Sequence, residues 1–571
     1  MVCEVGVSMP TISVDQHLIE KLLSQHGFNH DVSQLSDNLP LLGTDIDRCD
    51  SEILDIEIFP NRPDLLSGET LSRAIRNFIY HQDAQPDLNG VSGAVTMVVE
   101  PELATIRPVI LGAIVRNIDL NKLKVNPDDF IKSLMDHQEK LHFALGRGRK
   151  RASIGVHDLA TLAPPFTVKA VSGETEFTPL AMSSPMSIHQ ILSEHPKGID
   201  YAHLLEGLDK FPIIQDSNDN ILSFPPIING DHTTVTHSTK DFFIDVTGWD
   251  FRSCEASLML IALQLMEYGG QLETIQVTNC HGVTNTFPNI SSVEHKVSTT
   301  KLDNLLGRSL KDEEIAVAIN RMGGKFIGRD DDDIIIKMPR WRFDILHPID
   351  LVEDIAIGHG YEDLGEDIPR SPMTAQPRKD TNLLRRIRDS MQGLGMMQIQ
   401  SLTLSNDDDQ FQLVRWPNVG EVTRITNPIT IDHTLLRQYL LPGLLRLLSS
   451  NRHHDLPQSV YELGTVVRDH KNQSRLGFLT AERSGGFAAI RGRVQAFLRD
   501  LGANQYDISP LPDNDGPWLA GRAAKVTVNG NHIGCFGEID PHIAELFDLN
   551  VPLNGAEFSV EEIEKSIADP V

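Results

Sequence analysis

The sequence predicts a multidomain protein of mixed α/β and α+β architecture. Three observations carry this. The chain has 571 residues, too many for one core, so roughly three to five domains are expected. Strand-like alternation and helix-like periodicity follow one another along its whole length. Polar, turn-rich stretches such as His81 to Gly93 (HQDAQPDLNGVSG) separate the patterned segments.

Hydrophobic residues make up 40% and charged residues 23%, ordinary for a water-soluble chain. No run of about 18 apolar residues occurs, so no membrane span is expected. The N-terminus lacks the basic start and apolar stretch of a signal peptide, and Met9 reads as a natural start. Cys3, Cys49, Cys254, Cys280 and Cys535 are scattered without a CxxC pair. That suggests neither a disulfide framework nor a zinc site and fits a reducing cytoplasm. The formal charge is −28, which opposes wrapping nucleic acid with the whole surface, because phosphate contacts need cations.

The first segment, 1–90, reads strand, helix, strand, helix. Leu18, Leu22 and Leu23 give a short apolar helical face after Asp15. Leu54, Ile56 and Ile58 alternate with Asp55 and Glu57, a half-buried strand, and Pro60 to Leu65 (PNRPDL) stops it in a tight turn. A helix is expected from Ser67 to about Tyr80.

The second segment, 95–275, opens on a buried-type strand (PVILGAIV). An amphipathic helix follows, with Phe130, Leu134, Leu141 and Leu145 near helical spacing. Arg147 to Arg151 (RGRKR) is the densest basic run, either a solvated loop or an RNA contact. His157 and Asp158 end a strand and read as a structural hydrogen-bonding pair. Phe224 to Thr236 and Phe242 to Asp250 are strands entering turns, and a helix closes on Gly269 and Gly270.

The third segment, 285–365, holds a helix over Lys311 to Met322 closed by Gly323 and Gly324, then a hairpin with Asp330 to Asp333 in its turn. The last, 370–571, opens with a basic amphipathic helix using Leu383, Leu384, Ile387, Met391 and Leu394. An exposed apolar face there would favour a partner-dependent protein.

Two constellations carry chemistry. Asp350, Glu353 and Asp354 stand at i, i+3 and i+4 and share one helical face, with Asp344 six residues earlier and Pro348 at the helix start. Carboxylates converging there repel unless a cation neutralises them, and an all-oxygen site suits Mg²⁺ or Ca²⁺. Acidic residues complementing the helix dipole explain Asp350 and Glu353 well but Asp344 poorly, so both readings stand. In the second segment, Asp245 and Thr247 lie two apart on a strand-like run and share a face; capping of the following turn at Gly248 is the competing reading of both.

The run Arg340 to Tyr361 (RWRFDILHPIDLVEDIAIGHGY) resembles the winged-helix-like domain of the phenylalanine–tRNA ligase beta-subunit family. PTISV, IEIFPNRPDLLSGETLSRAIR, QEKLH, GRGRKRASIGVHDL, HPKGIDYAHLL, FPPIINGDHTTVT, FIDVTG, TNPIT, LLRQYLLPGLL and GCFGEIDP agree in order, so the resemblance covers nearly the whole chain, in the archaeal/eukaryotic form. It implies Mg²⁺ on Asp344, Asp350, Glu353 and Asp354. It implies a partner alpha subunit that activates the amino acid with ATP in an α2β2 ligase, tRNA(Phe) as the nucleic-acid partner, and neither membrane nor DNA. It implies a tRNA-binding and editing second domain whose site lies around Pro225, Pro226, Asn229, Asp245 and Thr247.

The need for editing is physical. A pocket shaped for phenylalanine rejects tyrosine, which only adds a hydroxyl, by roughly a hundredfold. The last segment resembles a degenerate class II synthetase core. Val460 to Val467 and Ile533 to Phe547 stand where the ATP-binding motifs would be, and the latter holds no arginine, a poor phosphate clamp. A free-standing hydrolase of mischarged tRNA and a non-catalytic tRNA-binding scaffold are the competing readings.

Overall fold

The computed structural model describes residues 11–365, 375, 376, 378–513 and 515–567. Met9, the expected start, and Met373, where the last segment was expected to open, lie outside the described residues. The chain divides into two compact units, 1–368 and 369–571.

In the first unit, Thr11–Asp15, Ile53–Ile58 and Thr44–Cys49 form a three-stranded antiparallel sheet with Ile53–Ile58 in the middle. Its alternation puts Leu54, Ile56 and Ile58 fully inside, as the period of two requires. The PNRPDL turn is more than a stop. Arg62 grips Asp64 through two bonds of 2.8 Å, both side chains buried. Ser67 caps the helix Gly68–Phe78 by accepting from Thr70 N. Arg76 on that helix reaches Glu267 through bonds of 2.8 and 2.9 Å.

The larger sheet has ten strands. Nine run in the order Ile228–Asn229, Ile221–Phe224, Phe211–Gln215, Phe166–Val171, Gly90–Val99, Gln271–Thr278, Val109–Arg116, Phe242–Gly248 and Ala152–Asp158, and Thr284–Phe287 pairs with Gln271–Thr278. The strand Gly90–Val99 begins inside the turn-rich stretch that marked a boundary in the sequence. Parallel pairing of Gly90 to Ser92 with Leu272 to Thr274 overrides local turn preference there. Gly93 permits the close approach, since a Cβ on it would stand 2.4 Å from Thr274 O. The helix Phe251–Glu267 is buried nearly all round, and the helix Pro127–Ala144 buries Phe130, Leu134 and Leu141.

Residues 293–359 form a smaller body. Val293–Ser298, Asp333–Met338 and Lys325–Asp330 make a three-stranded sheet under the helices Thr299–Leu306, Asp312–Arg321 and Pro348–His359. In the hairpin turn, Asp332 accepts from Ser298 and Thr300 hydroxyls.

The second unit is a seven-stranded sheet ordered Met397–Gln398, Gln458–Arg468, Lys471–Ala481, Leu553–Ser559, Asn531–Ile539, Trp518–Val528 and Tyr506–Pro510, antiparallel after the first pair. The helix Lys379–Gly393 packs Leu383, Ile387 and Met391 into the same core as Phe497 and Phe558. Those three side chains are therefore covered within the unit, while Leu384 and Leu394 are half-buried. Among the described residues no helix is long and apolar enough to cross a membrane.

Candidate functional site

The strand Phe242–Gly248 is buried at every position and runs between Val109–Arg116 and Ala152–Asp158. Asp245 lies opposite Gly155, and Thr247 opposite Ser153. Gly155 is required by this packing, because a Cβ on it would stand 2.1 Å from Asp245 Oδ2. The Asp245 carboxylate therefore lies across the bare backbone of its neighbour and reaches His157, whose Nε2 is 2.7 Å from Oδ2. His157 Nδ1 is 2.8 Å from Thr233 Oγ1. Both imidazole nitrogens are thus engaged, and neither is left to activate a nucleophile. The expected His157–Asp158 pair does not form. Successive side chains leave a strand on opposite faces, and Asp158 instead accepts from Thr239 at 2.7 Å.

Ala152–Asp158 is the edge of the large sheet, and helical side chains satisfy part of its free backbone. Gln138 Nε2 donates to Ile154 O at 2.7 Å, and Ile154 N donates to His142 Nε2 at 2.8 Å. Asn229 Nδ2 reaches Val156 O at 3.5 Å, while its Oδ1 accepts from Ser223 Oγ at 3.3 Å. Between this edge and the segment Ser223–Asn229 lies a cavity of about 150 Å³. Pro225, Pro226, Asn229 and Asp245 line it together, four of the five positions named from the sequence. Thr247 does not line it. Its hydroxyl accepts from Arg107 Nε at 2.7 Å, behind the wall.

Sequence reasoning missed Gln138, Glu139, His142, Arg149, Ser153 and Ser223, which also line the cavity. Gln138 and His142 sit at i, i+4 on one helical face, a spacing the sequence did show. Arg149 corrects the solvated-loop reading of the basic run. It is buried, donates to Pro226 O and Ile227 O at 3.2 and 2.9 Å, and lies 4.3 Å over the Tyr201 ring. His142, 3.6 Å away, and Arg149, 2.6 Å away, hold the Glu139 carboxyl down to about 2. Burial lowers His142 itself. Burial also pulls Arg107 down to about 10, so it stays charged at neutral pH.

The acidic constellation sits elsewhere in the first unit. Asp344, Asp350, Glu353 and Asp354 all line one cleft of about 620 Å³ with Asn61, Arg62 and Tyr361. Arg342 binds two of them, Asp344 Oδ2 at 2.6 Å and Asp354 Oδ1 at 2.8 Å. Burial opposes ionisation of Asp344, but Arg342 overcomes it and holds that carboxyl below its usual range; deeper burial keeps Asp354 above it. Asp350 Oδ2 accepts from Leu346 N and His347 N at 2.7 and 2.6 Å, which is the helix-start role. Glu353 is exposed, and Asp354 Oδ2 is buried without a partner. Among the described residues no three carboxylate, imidazole or thiol groups are assembled to hold a metal ion.

Comparison with known proteins adds identity to this geometry. Residues 108–264 match the B3/4 domain, 295–361 the tRNA synthetase B5 domain, and 364–560 the phenylalanyl tRNA synthetase beta chain CLM domain. Phenylalanine–tRNA ligase beta subunits are similar over almost their whole length. That of Methanothrix thermoacetophila is 37% identical over 92% of this chain and 95% of its own. That of Archaeoglobus fulgidus is 36% identical over 97% and 98%. An N-terminal fragment of the phenylalanyl-tRNA synthetase beta subunit from Pyrococcus horikoshii superposes with a TM-score of 0.56 at 29% identity, covering 62% of this chain and all of the fragment. These matches define a subunit of an aminoacyl-tRNA ligase. The chain belongs to the phenylalanine–tRNA ligase beta-subunit family.

Proposed function

We propose that this chain works as the non-activating partner of an alpha subunit in an α2β2 ligase that attaches phenylalanine to tRNA(Phe) in the cytoplasm, and that its second domain hydrolyses mischarged tyrosyl-tRNA(Phe). The observation that carries the hydrolytic role is the cavity at the edge of the large sheet, where Asn229, Ser223 and Asp245 converge from separate strands. Hydrolysis adds water to the ester carbonyl, breaks the bond to the ribose oxygen and releases tyrosine and free tRNA. With both His157 nitrogens occupied, the cavity favours a positioned water over a side-chain nucleophile. Asn229 is the residue assigned to orient that water and Asp245 the one assigned to orient the acyl group, with Thr247 buttressing Asp245 from the same strand. The −28 charge then requires tRNA to be met by local cations or by those of the partner.

The three-helix, three-stranded body of residues 293–359 supports the winged-helix-like reading, and the seven-stranded sheet of the second unit supports a class II synthetase-like core. Three arginines on and beside that sheet are spent on the chain's own carboxylates. Arg437 binds Glu462 and Arg475 binds Glu557, each at 2.6 Å, and Arg493 binds Glu482 at 2.9 Å. Guanidiniums so engaged are poor phosphate clamps, which supports placing ATP chemistry in the alpha subunit.

The acidic cleft fits Mg²⁺ by donor chemistry. All four groups are hard oxygens, and the unpartnered Asp354 Oδ2 is an oxygen that such an ion would satisfy. Asp344, Asp350, Glu353 and Asp354 would hold it. The ion would supply charge neutralisation beyond what Arg342 provides, and no bond-making.

The test is tRNA phenylalanylation by the purified chain, alone and mixed with the alpha subunit of the same source. Activity only in the mixture supports the proposal. Activity from the chain alone overturns the assignment of ATP chemistry to the partner.

A further inference from the structure

Arg107 is a buried guanidinium with no carboxylate on it. Its four acceptors are neutral oxygens: Thr247 Oγ1 and Thr247 O at 2.7 Å, and Ser153 Oγ and Arg149 O at 3.0 Å. A charge kept inside a protein without a counter-ion is unfavourable. An arginine guanidinium donates and never accepts, unlike a hydroxyl or an amide side chain. Hydroxyls bound to it must present their oxygens and send their hydrogens elsewhere.

The consequence can be followed atom by atom. Thr247 Oγ1 and Ser153 Oγ both accept from Arg107, and they lie 3.0 Å from each other. Each hydroxyl has one hydrogen, and the contact between them uses one of the two. If Ser153 donated to Thr247, the Thr247 hydrogen would be stranded in the interior, since Thr247 is fully buried and does not line the cavity. Thr247 therefore donates to Ser153. Ser153, which does line the cavity, is left with a hydrogen and no acceptor among the described residues. Asp245 stands in the same cavity with a carboxylate, which only accepts when ionised.

We propose that Ser153 is a specificity residue that donates to the phenol oxygen of the bound acyl group, and that Arg107 is a positioning residue that fixes the Ser153 hydrogen toward the cavity. The ligand class follows from this pairing. It is an aromatic acyl group whose hydroxyl accepts from Ser153 and donates to Asp245, as a tyrosyl ester does. A phenylalanyl ester leaves the Ser153 hydrogen without a partner and the carboxylate with His157 alone, and a site built to bond a hydroxyl rejects the analogue lacking it far more strongly than an apolar pocket rejects an added one. This inference rests on the hydrolytic reading of the cavity.

The experiment uses the full chain assembled with its alpha subunit, and tRNA(Phe) charged in separate samples with tyrosine or phenylalanine. The readout is the ratio of kcat/KM for deacylation of the two substrates. Ser153→Ala is expected to lower the tyrosine-to-phenylalanine ratio about tenfold or more, the equivalent of one lost hydrogen bond. Ser153→Thr, which keeps the hydroxyl, is expected to retain it. Arg107→Lys, with one donor group where the guanidinium has a fork, is expected to lower the ratio in the same direction. Its thermal midpoint, recorded alongside, separates this from unfolding. A structural role alone would slow both substrates together. If the wild type hydrolyses tyrosyl-tRNA and Ser153→Ala leaves the ratio unchanged, the Ser153 assignment is overturned. If the wild type hydrolyses neither ester, the hydrolytic reading falls, and this inference with it.

Discussion

His157 Nε2 stands 2.7 Å from Asp245 Oδ2, with the two side chains 0% and 2% exposed. Both side chains are buried and each supplies the other with a polar partner, while Asp245 alone of the two also lines the cavity. Asp245→Asn is expected to reduce tyrosyl-tRNA hydrolysis about a hundredfold, the scale of a misplaced acyl group, and to leave phenylalanylation by the assembled ligase in place. Steady-state deacylation beside an aminoacylation assay checks both halves. Unchanged hydrolysis would remove Asp245 from the site.

Arg76 and Glu267 tie the N-terminal helix Gly68–Phe78 to the helix Phe251–Glu267 through two short bonds, with Arg73 adding a third at 3.3 Å. Burial pushes the Glu267 carboxyl up, but Arg76 and Arg73 more than offset it and hold it below its usual value. Removing one partner strands a buried charge. Glu267→Leu is expected to cost about 3–5 kcal/mol, read as a lowered urea midpoint of the first unit. A loss under about 1 kcal/mol, the range of exposed pairs, would show the clamp to be dispensable.

His137 gives a pH dependence whose sign can be worked out. Burial lowers it from 6.5 to about 4. Between those values the unfolded chain binds a proton that the native chain does not, so unfolding is favoured as pH falls. Stability from this residue is intact above about pH 6.5 and declines toward pH 4, by about 3 kcal/mol in all. His137→Asn can keep the donation that Nδ1 makes to Gln264 without titrating. Its midpoint should fall less steeply over that window than the wild type's, and parallel curves would assign the dependence to other groups.

Mg²⁺ binding at the acidic cleft makes a separable prediction. The wild-type chain should gain thermal stability in millimolar MgCl₂, because an ion bound only by the native state stabilises it by mass action. Glu353→Gln, an exposed position, should lose most of that gain while keeping its midpoint in the absence of the ion. Equal gains in both proteins would exclude Glu353 as a ligand.

Local patterns were the most legible. The period of two in Ile53–Ile58 and the helical period of Pro127–Ala144 gave both element and buried face, because burying one face of a strand or helix leaves its mark on consecutive residues. The boundary near His81 to Gly93 was less legible, since the strand Gly90–Val99 owes its existence to parallel neighbours Gln271–Thr278 and Phe166–Val171. Four of the five expected cavity positions came together; Thr247 faces the same way as Asp245, yet Arg107 and Ser153 keep it behind the wall.

By itself the sequence determined the mixed multidomain architecture, the ligase family and the segments that carry chemistry, because ordered motifs and hydrophobic periods are properties of the chain read along its length. Only the tertiary structure decided which charges are neutralised. Arg342 takes up Asp344 and Asp354, Arg149 moves from a basic loop to a buried wall, and His157 pairs with Asp245 across the sheet instead of with adjacent Asp158. Electrostatic partners are set by distance and burial in space, and a strand that turns neighbouring side chains to opposite faces makes sequence adjacency a poor guide to either.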